Sequence, residues 1–348
     1  MTDERYRANP DEQLRDHGDR QVPAGTLDMA VNVLPGPPGW LARRLASGLD
    51  DLAGYPDDTA ARQALATRHS RQPSEVVPLA GAAEGFWLLP RVLQPSLAAC
   101  VHPGFTEGEA ALRAHGVPVV RIHREPGQWR LDPDDVPEDA DLVVVGRPDN
   151  PTGVVDPAAV IASLCRPSRT VVVDEAFAEF LPDAGGVADR SDLPGLVVLR
   201  SFTKLWGLAG LRVGYLVASS GLAGALGDAR QPWAVDQLGL EAMVALSDAE
   251  TERRDRAAEV ASVRAHLLAG LQSVRGVTAW TSQANFVLLM TELTDLRRRL
   301  LADGLAVRRG ETFPGLDDRY VRVAVRSRDV NDRLVDAIAR HLSRTPSS

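Results

Sequence analysis

Lys204 closes the run Leu196-Val-Val-Leu-Arg-Ser201-Phe-Thr203-Lys204, in which an apolar, β-branched stretch passes directly into a hydroxyl-rich turn. A lysine set behind a buried strand loses hydration, which favours the neutral amine and makes it a nucleophile toward a carbonyl. Ser201, Thr203 and Arg212, the last within Gly207-Leu-Ala-Gly-Leu-Arg212-Val-Gly214, add two hydroxyls and a guanidinium, donors that suit a phosphate. Upstream, Thr170-Val-Val-Val-Asp174-Glu-Ala-Phe177 ends another apolar run in an acid, at the strand edge where open α/β sheets bind ligands. Taken alone, such an aspartate more often caps the helix that follows. Between them in function lies Asn150, in Arg147-Pro-Asp-Asn150-Pro-Thr-Gly153, a turn whose Pro and Gly hold the amide in place.

Amide, acid, amine and guanidinium, in that order and each beside a strand end, match the needs of one cofactor, pyridoxal 5'-phosphate. The amide serves a phenolic oxygen, the acid a pyridinium nitrogen, the amine an aldehyde, and the guanidinium a phosphate. Competing chemistries lack their markers, since the chain has no GxxxxGK[ST], no strand-linked GxGxxG, no HExxH and no GxSxG. Only Cys100 and Cys165 are present, with no Cys/His spacing for zinc, so neither a disulfide framework nor a metal is expected. With 39 Lys and Arg against 47 Asp and Glu the net charge is −8, which argues against a nucleic-acid partner. The opening Met-Thr-Asp-Glu-Arg carries no apolar signal core and no run of about 18 apolar residues follows, so a cytoplasmic protein without membrane contact is expected.

These groups need a sheet to hold them. Short apolar runs at Leu97 to Val101, Val117 to Ile122, Leu142 to Val145, Val171 to Val173, Leu196 to Leu199 and Val213 to Ala218 alternate with helical patches. Several are rich in valine and leave room for crossover helices, which predicts an α/β protein with a mostly parallel sheet covered on both faces. After Pro232 the pattern changes to two helical stretches, Ala234 to Leu246 and Glu250 to Leu271. Short strands return at Asn285 to Met290, Leu305 to Val307 and Tyr320 to Val325. The expected organisation is an N-terminal arm over 1–36, a large cofactor-binding domain over 37–235 and a smaller α+β domain over 236–348. Pro and Gly in Asn32-Val-Leu-Pro-Gly-Pro-Pro-Gly39 mark the loop between arm and core.

Asn150-Pro-Thr-Gly153, Asp174-Glu-Ala-Phe177, Ser201-Phe-Thr-Lys204 and Gly210-Leu-Arg-Val-Gly214 resemble the fold-type-I, aspartate-aminotransferase-like pyridoxal-phosphate enzymes, in particular their histidinol-phosphate aminotransferase branch. The resemblance runs over nearly the whole chain. It implies that Lys204 carries the cofactor, Asp174 pairs with its ring nitrogen, Asn150 contacts its ring oxygen and Phe105 stacks on it. Ala82 and Ala83 stand in the phosphate cup with Ser201, Thr203 and Arg212. Tyr55 matches the tyrosine that reaches the neighbouring subunit's phosphate, which implies a homodimer with shared sites. Within the branch, His17-Gly18, Pro103-Gly-Phe-Thr-Glu107, Asp174-Glu-Ala-Phe177, Pro232-Trp-Ala-Val235 and above all Phe313-Pro-Gly-Leu-Asp-Asp-Arg-Tyr-Val-Arg-Val-Ala-Val-Arg326 are similar to threonine-phosphate decarboxylases of cobalamin synthesis. That narrower likeness implies His17, Asn32, Arg308 and Arg322 as contacts for the phosphate and carboxylate of a phosphorylated amino acid. Decarboxylation of O-phospho-L-threonine is therefore the first expectation, and transamination of histidinol phosphate with 2-oxoglutarate the alternative. A ligand-sensing regulator built on the same core is disfavoured, since no basic DNA-binding module precedes it. Two departures matter. Phe177 replaces a tyrosine usual in the aminotransferases, and Ala83 replaces a polar cup residue.

Overall fold

The structure is a computed structural model and describes residues 12–15, 22–182 and 186–343. The described residues form strands β1 (Leu27–Met29), β2 (Val76–Ala80), β3 (Ala98–His102), β4 (Val119–His123), β5 (Leu142–Gly146), β6 (Thr170–Glu175), β7 (Leu196–Ser201), β8 (Val213–Ala218), β9 (Val277–Ala279), β10 (Phe286–Thr291), β11 (Leu305–Arg309) and β12 (Tyr320–Ala324). β2 to β8 make a seven-stranded sheet in the order β2-β8-β7-β6-β5-β3-β4. It is parallel except for β8, which runs antiparallel to both β2 and β7.

Successive side chains on a strand face opposite ways. Val171, Val173 and Val198 therefore join Trp206, Met243 and Leu246 on one face, while Val172, Val197 and Leu199 join Phe86, Leu89 and Leu112 on the other. Both faces are dry, which is why the strands read as unbroken apolar runs rather than alternating ones. Full burial of each such side chain is worth roughly 1.5–3 kcal/mol.

The second sheet, in the order β1-β11-β12-β10-β9, is antiparallel except for the β1–β11 edge pair. It packs on Leu267 and Leu271 of the helix Glu250–Ser273 and on Leu334 and Ile338 of the helix Arg328–Ser343. Residues 27–29, near the end of the expected arm, are its edge strand. β1, β2 and β9 were not anticipated; β1 and β9 span only three residues each, too short for a periodic signal, and β2 contains Pro78. The helix expected from Ala234 begins at Gln237, because the Asp236 carboxylate accepts the Gly239 N–H at 2.9 Å and so caps it. Upstream, Leu14 is buried and its carbonyl accepts the Thr106 hydroxyl at 2.5 Å, while the Arg15 guanidinium lies 5.2 Å from the Trp87 ring centroid. Among the described residues no helix is long and apolar enough to cross a membrane, and no cluster of His, Cys, Asp and Glu could hold a metal ion.

Candidate active site

The neighbouring parallel strands β5, β6 and β7 end side by side, and the chain leaving each one supplies the crevice. Gly146 pairs in register with Asp174, and Asp174 with Leu199, so the Asn150 turn, Asp174 and the Ser201 turn emerge at one edge. A hollow of about 110 Å³ at this edge is lined by Ala82, Ala83, Phe105, Asn150, Asp174, Ser201, Thr203, Lys204 and Arg212, together with Gly81, Phe86, Ala176 and Phe177. Every residue expected at the cofactor is thus brought together except Tyr55.

Asp174 is 8% exposed, and its Oδ1 accepts the Ala176 N–H at 3.0 Å. Burial pushes its carboxyl up to about 6, against the pull of the Ala176 N–H and of Lys204. This aspartate does not cap the short helix Ala178–Phe180, whose cap position is Phe177 with no side-chain bond; it lines the hollow, where a cation would restore its ionisation. Lys204 is half-buried with its Nζ 5.8 Å from the centroid of Phe177. The buried hydroxyls of Ser201 and Thr203 lie 2.7 Å apart, and the Thr203 N–H donates to Ser201 Oγ at 3.2 Å.

The helix Ala83–Leu93 begins with no side-chain cap at Ala82; the Glu84 and Gly85 N–H groups donate to the Gly81 and Ala82 carbonyls at 3.1 and 3.0 Å, and Ala82 and Ala83 themselves line the hollow. An uncapped helix N-terminus favours an anion. Gly81 sits in the left-handed region at φ +84°, and a Cβ there would fall 2.5 Å from Arg212 Nη2. Glycine thus lets the guanidinium lie against the backbone beside the cup, and the Arg212 Nη1 donates to the Ala209 carbonyl at 3.1 Å. An acid at one end, an amine at the side, and hydroxyls, guanidinium and helix N–H groups at the other end fit pyridoxal 5'-phosphate as a donor set.

The second sheet brings in two arginines. Arg308 on β11 and Arg322 on β12 are register partners, both nearly buried. Arg322 Nη1 donates to Asn150 Oδ1 at 2.5 Å and Nη2 to the Ala30 carbonyl at 2.6 Å. With its oxygen engaged by Arg322, the Asn150 amide has its N–H₂ left to donate to an oxygen on the ring. Burial, then the charges of Arg308 and Arg326, push the Arg322 guanidinium down to about 9. So crowded a cationic site favours an anion. Asn32 is buried with its carbonyl accepting from Asn285 Nδ2 at 3.0 Å, and the loop it opens returns to the crevice, where the Leu34 N–H donates to the Lys204 carbonyl at 3.0 Å.

His17 lies outside the described residues. Tyr55 is 78% exposed and stacks on Trp233 at 4.2 Å, so within one chain it contributes nothing to the hollow. Trp206 is wholly buried core. Phe177 packs its ring against Phe180 and Phe286, 6.3 and 5.0 Å between centroids, and brings no hydroxyl. Gly81, Phe86 and Ala176 were missed; only Gly81, in the turn between β2 and a helix, left a signal that could have been read. A larger groove of about 600 Å³, with Trp129 and Trp280 among its walls, contains none of the expected residues.

The chain belongs to the aminotransferase class I and II family, which matches residues 28–338. It has the aspartate-aminotransferase-like type I fold, and its cofactor is pyridoxal 5'-phosphate. A histidinol-phosphate aminotransferase of Mycobacterium tuberculosis is 47% identical over 320 residues, 90% of this chain and 87% of that one. The threonine-phosphate decarboxylase of Salmonella typhimurium is 34% identical over 332 residues, 91% of each chain. Among solved structures, histidinol-phosphate aminotransferase from Sinorhizobium meliloti in complex with pyridoxal-5'-phosphate superposes with a TM-score of 0.83 at 21% identity, covering 98% of this chain and 96% of that one.

Proposed function

We propose that this chain is an aminotransferase for a small phosphorylated amine, with histidinol phosphate as donor and 2-oxoglutarate as acceptor. The observation that carries this reading is the 47% identity to the mycobacterial histidinol-phosphate aminotransferase, which exceeds the 34% to the decarboxylase. The order of the two expectations is therefore reversed.

When bound, the cofactor supplies an aldehyde for the substrate amine and a ring that withdraws electrons from the α-carbon. Lys204 would hold it covalently, and its Nζ, when free, would take the proton lost from the substrate's α-carbon and give one back to complete the reaction. Asp174 holds a proton on the ring nitrogen, for which its burial in a dry crevice serves well. Ser201, Thr203, Arg212 and the N–H groups at Ala82 and Ala83 bind the cofactor phosphate, Phe105 covers the ring, and Asn150 donates to its oxygen. Arg308 and Arg322, with Asn32 and His17, bind the substrate phosphate and the carboxylate of the acceptor. Tyr55 completes the phosphate site of the other subunit in a cytoplasmic homodimer, in keeping with its exposure on its own chain.

Decarboxylation of O-phospho-L-threonine is the second reading, and Phe177 favours it. A tyrosine there would donate to the ring oxygen in an aminotransferase, whereas this site has hydrocarbon. Both reactions use the same groups; the orientation that the arginines impose on the substrate decides which α-bond stands normal to the ring. Purified holoenzyme given histidinol phosphate and 2-oxoglutarate is expected to form glutamate. Carbon dioxide from phosphothreonine without glutamate from the other pair would replace the first reading by the second. A visible absorbance band that is lost in Lys204→Ala is expected in either case.

A further inference from the structure

β3 ends at His102, and the next three residues deliver Phe105 to the crevice. The His102 ring is 1% exposed, with Nε2 2.7 Å from Glu109 Oε2. Glu109 is buried too, and accepts from Arg113 Nε at 2.6 Å and from Arg121 Nε at 2.9 Å. Burial would raise the Glu109 carboxyl, but hydrogen bonds from His102, Arg121 and Arg113 outweigh it and bring it to about 2. An ionised Glu109 is acceptor-only, so His102 carries its proton on Nε2, and Nδ1 is left as an acceptor. Burial, with Arg121 and His123 nearby, holds the imidazole below its ordinary range against the pull of Glu109, which favours the neutral ring.

Nδ1 is buried and has no hydrogen-bond partner in the protein. His102 and Asp174 line one small cavity, with Gly104, Phe105, Glu109 and Gly146 among its walls. Its volume is about 10 Å³, the space a single water centre occupies. Of the carboxylate oxygens of Asp174, Oδ1 takes the Ala176 N–H; the charges that act on the acid are Lys204, beside it in the hollow, and Glu175, on the opposite face of β6. One water between them would satisfy the imidazole and give the acid a second donor.

We propose that His102 is a positioning residue for Asp174. A water in this cavity donates one proton to His102 Nδ1 and the other to the Asp174 carboxylate, so that Glu109, His102 and water hold the acid ionised and aimed at the crevice. This rests on the reading above that Asp174 serves the cofactor's ring nitrogen.

Two substitutions separate the ends of the imidazole. His102→Gln keeps a polar group near the Nε2 position and loses the one at Nδ1, whereas His102→Asn keeps the Nδ1 position and loses the contact with Glu109. The readouts on holoenzyme are the pH midpoint of the cofactor's visible band and the dissociation constant of the cofactor. In His102→Gln the midpoint is expected to move by about half a pH unit or more and the cofactor to bind about fivefold more weakly, with His102→Asn nearer the wild type. Wild-type values in His102→Gln, or equal changes in both variants, would overturn the proposal. Should neither variant fold, a high-resolution crystal structure of the wild-type holoenzyme decides: water within hydrogen-bond distance of both His102 Nδ1 and Asp174 is expected, and its absence refutes the relay. A wild-type protein with no visible band dependent on Lys204 would instead defeat the cofactor reading itself.

Discussion

Asp149 precedes the crevice asparagine and is wholly buried. Its Oδ2 accepts the Thr152 hydroxyl at 2.6 Å and the Thr152 N–H at 3.3 Å, while Oδ1 has no protein partner. Burial pushes its carboxyl up to about 6, against the Arg124 charge and the Thr152 hydrogen bonds, with Asp156 adding to the rise. Between the ordinary carboxylate range and pH 6 the folded chain holds this proton more tightly than the unfolded chain. Stability is thus lost as the pH rises through that window. Asp149→Asn keeps an oxygen for Thr152 and removes the charge. In urea unfolding of the cofactor-free protein, the variant should gain up to about 3 kcal/mol on the wild type between pH 4 and pH 7.5. Parallel curves across that range would show that Asp149 is not held neutral by the fold.

At the scale of elements, the strand ends that carry the crevice are tied together on the face away from it. Alternation along β6 turns Asp174 to the hollow and Glu175 to the other side. There Glu175 Oε2 meets Arg200 Nη1 at 2.9 Å, and Arg147 Nη1 stands 3.5 Å from Glu175 Oε1. Arg200 Nη2 reaches Glu179 Oε1 at 2.7 Å, which also meets Arg68 Nη2 at 3.0 Å. One buried carboxylate thereby links the chain after β5, the end of β6 and the end of β7, whose neighbours are Asn150, Asp174 and Ser201. Removing a single member leaves an uncompensated charge in a dry interior, so Arg200→Gln should cost about 3–5 kcal/mol. The double variant Glu175→Gln/Arg200→Gln should lose less than the two singles combined, by about 1 kcal/mol or more, in thermal or urea unfolding. Additive losses would mean that the pair does not act as a unit.

For the whole molecule, the test is whether the site needs two chains. Tyr55 lies outside its own crevice, and Leu49, Leu52 and Trp233 are exposed as it is. Tyr55→Ala and Lys204→Ala are each expected to be nearly inactive. Mixed after unfolding and refolding together in equal amounts, they should recover about a quarter of wild-type activity, because one site in each mixed dimer has both residues. No recovery from two inactive variants, both dimeric by light scattering, would mean that Tyr55 does not complete the other subunit's site, and an active Tyr55→Ala would place it outside catalysis.

Much of the crevice was legible because its parts are local. Each strand ending in a functional residue is one apolar run, and the turn chemistry of Asn150-Pro-Thr-Gly153 or Ser201-Phe-Thr-Lys204 lies within a few residues of it. Order along the chain, residue type and a parallel sheet together placed Asn150, Asp174, Ser201, Thr203, Lys204 and Arg212 in one hollow, while Ala82, Ala83 and Phe105 were expected there only from the family resemblance. What depended on distant pairing was not legible. Arg322 reaches Asn150 across 172 positions only because β12 lies beside β11 in the second sheet and that sheet leans on the crevice. The exposure of Tyr55, the buried linkage through Glu175 and the common cavity of His102 and Asp174 are likewise products of packing. Local pattern sets which backbone each segment prefers, and so which residues stand at strand ends. Which of those ends meet, and which polar atoms are left facing one another in the dry interior, is decided only when the sheets close.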